Sequence, residues 1–290
     1  MLRRSLRVCI RTPEPSPPHR DPVDRATFTA LGAIDTRNGP KSTLRRSANR
    51  EERSNVSKWL RLIVLISFMV AIRLPGINEP VSGWHAWRQA DTAAIARNFA
   101  EEDMNILHPR VDWRGETAGQ IESEFPIVSW ASAALIRLGS PENAALRLPS
   151  IVTSVLGVLA VLALGSRWCG PRVGWIAALT YGLLPFGVYF GRVPMPEVTM
   201  LAASAGGLLF ADVWATDRKL GSLIAATACL ALAALLKLPT LYMGLPLIAV
   251  FVVRGRPGVF RDVRPWIAAV RAVGVGGFNS LSVTDCYWRA

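Results

Sequence analysis

The chain has 290 residues, 51% of them hydrophobic, and a mean hydropathy of +0.28. Several windows approach the roughly 20 apolar residues that cross a bilayer, which excludes an ordinary soluble domain. The net charge of +12 would suggest nucleic acid in a soluble chain. Here the excess Arg and Lys lie in the N-terminal tail and in short loops, where positive-inside topology accounts for them, and no nucleic-acid partner is expected. Cys9, Cys169, Cys229 and Cys286 are far apart and form no CxxC pair, so they indicate neither a zinc site nor a disulfide framework.

Residues 1–57 are rich in Arg, Ser and Pro, with PEPSPPHRDPVDR at 13–25 and no apolar periodicity. That composition cannot bury a core and predicts a disordered, basic cytoplasmic tail. It does not resemble a cleavable signal peptide, because the first apolar run begins late and lacks a small-residue cleavage site. Residues 58–74 form the first expected span, short unless Arg61 and Arg73 snorkel to the interfaces. The Arg excess before it places the N-terminus in the cytoplasm and residues 75–125, the first large loop, outside. Residues 146–164, 173–190, 198–214 and 220–236 are further span candidates, with 238–253 a shorter one. Ala203, Ser204, Gly206 and Gly207 would let helices approach closely.

Residues 126–139 are ambiguous. Counted as a span, they leave the basic loop 254–264 outside, against the positive-inside rule. Counted as a surface helix, they put Arg167, Arg172, Arg218, Lys219 and that loop inside, and bring Glu197 and Lys237 to the outer side. Residues 254–290 read as a basic loop and an atypical C-terminus, neither span nor domain, as though the chain were truncated in mid-bundle.

The polar, tryptophan-rich stretch GWHAWRQADTAAIARNF at 83–99, followed by IESEFPIVSW at 121–130, lies between these apolar segments. As a helix it predicts an apolar stripe of Trp87, Ala94, Ile95 and Phe99, with Asp91 on the same stripe. An acid on an apolar face needs either a partner, for which Arg88 at i−3 is placed, or a job. A salt-bridged helix lying on the membrane is the plain alternative.

One span, a long outer loop opening on this helix, then ESEFP, ALRLPS, FGRVPMPE and LLKLP, resembles the membrane glycosyltransferases of the GT-C superfamily. Within it the likeness is to the protein O-mannosyltransferase and aminoarabinose-transferase group, and it covers residues 58–253. The resemblance implies an all-α polytopic membrane protein, a transmembrane helix bundle whose large first extracytoplasmic loop carries amphipathic helices. It implies transfer of a sugar from a polyprenyl-phosphate donor to a glycan, lipid or protein acceptor, with inversion, at the outer face of the cell inner membrane.

By the same resemblance Asp91 is the expected catalytic base, accepting the proton of the acceptor hydroxyl. One departure is evident: aligned on Ile95-Ala96-Arg97, the paired acids of the aminoarabinose transferases fall on Arg88 and Gln89. Glu122 and Glu124 correspond to the acid or lysine preceding the family's Pro-Pro, as sugar contacts or a second acid. Arg192 and Glu197 correspond to an arginine and a downstream acid at a helix start, suited to phosphate, and Lys237 to the neutralisation of the departing lipid phosphate. Arg88 and Arg97 are further expected substrate contacts.

Simpler roles exist for several of these. Pro196 and Glu197 are residues a helix start prefers, and Lys237 suits a helix C-terminus. Arg147 of ALRLPS is read as a loop-end charge, and Trp84, Trp87 and Trp113 as interfacial anchors. His85, Asp103, His108, Asp112 and Glu116 match no compact ligand set, so no divalent cation or other cofactor is expected. The rival function is that of a truncated, non-catalytic relative acting as scaffold or lipid binder. A transporter is disfavoured by the scarcity of intramembrane charges and the absence of an inverted repeat.

Overall fold

The structure, a computed structural model, describes residues 40–121, 124–254, 264 and 267. The chain divides into two compact units, Met1–Phe68 and Met69–Ala290. Helix α1 (Pro40–Ala71) belongs to the first for most of its length. Residues 40–57, expected in the disordered tail, are thus helical. Their Lys, Arg, Ala and Glu favour helix, and an apolar helix already nucleated at 58–71 extends backwards at little cost. Residues 1–39 lie outside the described residues.

In the second unit α2 (Ala86–Glu101) packs on α3 (Ile127–Arg137), and α3 on α4 (Glu142–Cys169). The helix pairs α4–α5 (Pro171–Leu183), α4–α7 (Glu197–Asp217) and α7–α8 (Leu220–Leu236) make the centre, and α9 (Gly244–Val253) lies on α7. Among the described residues there is no strand, only an isolated antiparallel bridge between Arg110 and Gln120. Among the described residues two helices, α4 and α7, are long and apolar enough to cross a membrane; α3, α8 and the stretch Leu238–Val253 are apolar but shorter.

Local chemistry sets these boundaries. α4 ends at Gly170, whose φ of 90° disfavours other residues, and Pro171 at once opens α5 with a preset φ. The expected span at 173–190 is broken. Pro185 has no N–H and drives Leu184 to ψ 133°, so the chain restarts as α6 (Pro185–Phe190). Arg73 repairs the break. Rather than snorkelling, it is 1% exposed and donates to the carbonyls of Met69, Gly182 and Gly187 at 2.9, 3.0 and 3.3 Å. Gly207 brings α7 against α8 as its small side chain predicts, since a Cβ there would stand 2.7 Å from Leu230 Cγ.

The unit is apolar outside and partly polar inside. Val152, Leu156, Ile176, Ile224, Leu245, Ile248 and Val252 are exposed, while Ser150, Ser154, Ser204 and Asp212 are buried. At the C-terminal ends of α4, α7 and α9 the fully buried Asp212 accepts from Arg167 Nε at 2.7 Å, Trp168 Nε1 at 3.0 Å and Arg254 Nε at 2.6 Å.

Candidate functional site

The opposite ends of α7 and α8 meet the loop before α3 and the first turn of α2. Phe125 N donates to Leu235 O at 3.3 Å, which carries Glu124 to the end of α8. There Arg88 Nη2 stands 2.8 Å from Glu124 Oε1 and Arg88 Nη1 3.8 Å from Glu197 Oε1. Lys237 Nζ lies 2.7 Å from Glu197 Oε1 and 3.6 Å from Glu124 Oε1. Four expected site residues from four separate segments therefore form one charge-balanced cluster. Glu197 occupies the first turn of α7 and Lys237 the C-cap of α8, where each helix dipole favours its charge. The second oxygen of Glu197 is buried without a hydrogen-bond partner.

Asp91 lies three residues beyond Arg88 on α2. Its expected pairing with Arg88 is not made, because Arg88 turns to Glu124 and Glu197, whose two carboxylates outbid one neighbour on the same helix. Asp91 is half-buried and has no hydrogen-bond or ion-pair partner among the described residues. The apolar stripe also differs from expectation. Ile95 and Phe99 pack with Val111 and Ala133, Ala93 and Ala96 pack with Leu146, and Trp87 is exposed. α2 buries two faces, against α3 and against α4, and this leaves Asp91 beside the core.

The first turn of α2 is held by a residue the sequence does not single out. Gln89 is fully buried; its Nε2 donates to Trp84 O at 2.8 Å and to Tyr189 Oη at 3.2 Å, and Tyr189 Oη donates to Trp84 O at 2.8 Å. These bonds tie α6 to the turn where His85 adopts a left-handed φ of 56°. Gln89, Ala93 and Ala96 follow helical spacing, the one signal that would have marked Gln89 as inward-facing.

Arg97 does not join the cluster. It pairs with Glu142 at 2.9 Å and Asp112 at 3.7 Å, clamping the loop to the start of α4. Within the loop Arg110 and Arg114 both pair with Glu102 and hold its carboxyl below the usual range. Asp112 also accepts from Asn98, and Asp103 accepts from the backbone N–H of Asn105. Among the described residues no group of three His, Cys, Asp or Glu is placed to hold a metal. Trp84, Trp87 and Trp113 are exposed. Glu122 lies outside the described residues.

Arg192 is separate again, its Nη1 3.4 Å from Pro75 O. Arg147 is not the loop-end charge expected of it. It lies in the second turn of α4, 7% exposed, with Nη2 3.4 Å from Pro80 O and Nη1 buried without a partner.

The model of the family described as dolichyl-phosphate-mannose-protein mannosyltransferase matches residues 123–275, more than half of the chain. The chain belongs to this family. It is a glycosyltransferase of the GT-C superfamily, in agreement with its ESEFP, ALRLPS, FGRVPMPE and LLKLP motifs. This mannosyltransferase-like family is membrane-associated, and its members take a lipid-linked sugar donor and an acceptor. No curated protein and no solved structure matches the chain. The matched stretch contains Glu124, Arg147, Arg192, Glu197 and Lys237, while Arg88, Asp91, Arg97 and Glu122 precede it.

Proposed function

We propose that this glycosyltransferase moves a sugar from a polyprenyl-phosphate donor to a lipid or protein acceptor, inverting the anomeric carbon, with Asp91 as base. The observation that carries the reading is the half-buried Asp91 carboxylate, without a partner among the described residues, one turn from the Arg88 end of the ion cluster. A general base must be free to accept a proton, and among the described acids of this region Glu124 and Glu197 are already engaged by cations.

In a single displacement Asp91 takes the proton of the acceptor hydroxyl as that oxygen bonds the anomeric carbon. The bond from that carbon to the phosphate oxygen breaks with its electron pair, and the lipid phosphate leaves. Positive charge spreads over the sugar ring in the transition state, and fixed cations at the phosphate lower its energy. Glu124 and Glu197 hold Arg88 and Lys237 in position rather than acting as bases. Arg192 faces the phosphate, and Arg97 serves the loop. Glu122 is retained as the alternative base.

The topology we favour is a multi-pass bundle in the inner membrane with a cytoplasmic N-terminus and α3 on the outer surface. The domain reading that goes with it is a bundle at 58–253, its outer loop at 75–125, between a basic tail and a basic C-terminal stretch. Three observations support it. The 11 residues of α3 reach roughly 16 Å, about half of a bilayer core. Glu197 and Lys237 meet Arg88 and Glu124 at one end, as they could not if residues 126–139 crossed. Arg167 and Arg254 meet on Asp212 at the other.

The test is label transfer in membranes containing the full chain, supplied with radiolabelled polyprenyl-phosphate sugars, beside Asp91→Asn. Transfer by the wild type, lost in the variant at unchanged expression, is the expected result. Transfer surviving in Asp91→Asn moves the base to Glu122, and no transfer from any donor sinks the reading.

A further inference from the structure

Helix α2 begins without the device that usually fixes a helix start. Its N-cap is His85, which holds a left-handed φ of 56° and makes no side-chain cap bond. Ser, Thr, Asp or Asn at that place would bind a free N–H of the first turn and set the entry of the chain. From Thr92 onward the helix has other anchors. Ser129 Oγ of α3 donates to Thr92 O at 3.0 Å, and Ala93, Ile95, Ala96 and Phe99 are buried. Of the first-turn residues 86–89 only Gln89 is buried, and it is polar.

A closed triangle of hydrogen bonds on one carbonyl holds this turn. Gln89 Nε2 donates to Trp84 O at 2.8 Å and to Tyr189 Oη at 3.2 Å, and Tyr189 Oη donates in turn to Trp84 O at 2.8 Å. Both amide hydrogens of Gln89 and the single hydroxyl hydrogen of Tyr189 are thereby used. Gln89 Oε1 is buried and has no partner, so the side chain serves here as a double donor. The chain is shaped to admit the tyrosine: Gly83 sits at φ 95°, and a Cβ there would stand 3.3 Å from Tyr189 Oη. The Tyr189 ring lies edge-on to Phe190, with centroids 5.3 Å apart. Helix α6 is itself braced by Arg73, which donates to Gly182 O and Gly187 O on either side of Pro185.

We propose that Gln89 and Tyr189 are positioning residues for sugar transfer, their clasp on Trp84 O setting the direction in which the first turn of α2 presents Asp91. Neither touches the reacting atoms. Asp91 lies two residues beyond Gln89, and the helical backbone fixes the place of one from the other. A reacting group misplaced by about 1 Å can cost about 10²-fold in rate, so a local loosening that leaves the fold intact still shows in transfer. Because the role is exercised through Asp91, the inference rests on the proposed transfer reaction.

The experiment uses the full chain in nanodiscs and follows label transfer from a radiolabelled polyprenyl-phosphate sugar, with kcat and donor KM measured separately. Tyr189→Phe keeps the ring and removes the hydroxyl, and Gln89→Met keeps the length and removes the donor. Each is expected to lower kcat at least tenfold with donor KM unchanged. The double variant should fall no further than the worse single one, since the same clasp is broken in each. In an Asp91→Asn background Tyr189→Phe should cause no further loss, whereas a general loosening of the fold would add its own. Hydrogen exchange at residues 89–92 should quicken in Tyr189→Phe while residues 95–101 keep their wild-type rates. A wild-type kcat in Tyr189→Phe overturns the inference, as does unchanged exchange at 89–92 or a further loss on top of Asp91→Asn. Should Gln89→Met fail to fold, judged by elution volume and helicity, Tyr189→Phe decides alone.

The same measurements separate this inference from the reaction beneath it. Transfer lost in Asp91→Asn but unchanged in Tyr189→Phe overturns the clasp and leaves the reaction standing. Transfer at the wild-type rate in Asp91→Asn overturns the base, and the clasp, with nothing to position, falls with it.

Discussion

Lys237, at the end of α8, donates a 2.7 Å hydrogen bond to Glu197, at the start of α7, across 40 residues of chain. Both side chains are largely withdrawn from solvent, so neither is easily left alone. Lys237→Met should destabilise the protein by about 1–3 kcal/mol, because Glu197 would keep its charge without its closest cation. Thermal unfolding in detergent measures this. A midpoint equal to wild type would mean that Arg88, 3.8 Å from Glu197, suffices.

Among the described residues Asp91 has no hydrogen-bond or ion-pair partner, so its proposed role as base can be tested apart from folding. Asp91→Asn should cut sugar transfer about 10²–10⁴-fold. Its unfolding midpoint should stay within about 0.5 kcal/mol of wild type. A large loss of stability in that variant would point to a structural carboxylate instead.

Asp212 is fully buried and holds Arg167, Arg254 and Trp168. Asp212→Ala leaves two guanidinium groups facing each other, at a cost of about 3 kcal/mol. Denaturation of the purified variant gives that figure, and donor KM in whatever protein remains folded should be unchanged, since the lock lies at the far end of α7 from Glu197.

The loop after α2 should respond to acid. Arg114 and Arg110 hold the Glu102 carboxyl below its usual range, so its folded pKa is lower than its unfolded one. Such a group contributes order fully above the ordinary glutamate value of about 4.3 and loses it as pH falls through the lower folded value. Hydrogen exchange over residues 103–121 should therefore quicken in acid below that window, and Glu102→Gln should exchange at the faster rate already at neutral pH. Glu102 is a surface carboxylate, so the effect is local and global unfolding is not expected to move with it.

Much of the site was legible in the residues themselves. Arg88, Glu124, Glu197 and Lys237 stand out because charge is rare beside apolar helices and because ESEFP, FGRVPMPE and LLKLP recur in a known order. Helix type and most boundaries follow from local chemistry: glycine at Gly170, proline at Pro171 and Pro185, and small residues at Gly206 and Gly207. These are short-range effects, readable wherever the neighbours in sequence are the neighbours in space.

Partnership was not legible. Arg88 chose Glu124 over Asp91, Arg97 chose Glu142 over any substrate position, and Arg73 turned inward to the carbonyls at the Pro185 break. Asp212 has its cations 45 residues before it and 42 after it. Arg147 reads as a loop-end charge, yet it lies within α4 and is buried there, reaching Pro80 O. The sequence alone determined most of the helical segments and the charged residues worth weighing as site candidates, because backbone sterics and hydrophobic periodicity act over a few residues. Only the tertiary structure decided which charges neutralise each other and which, as with Arg147 and Arg192, reach only backbone carbonyls among the described residues, because Coulomb energy depends on distance in space.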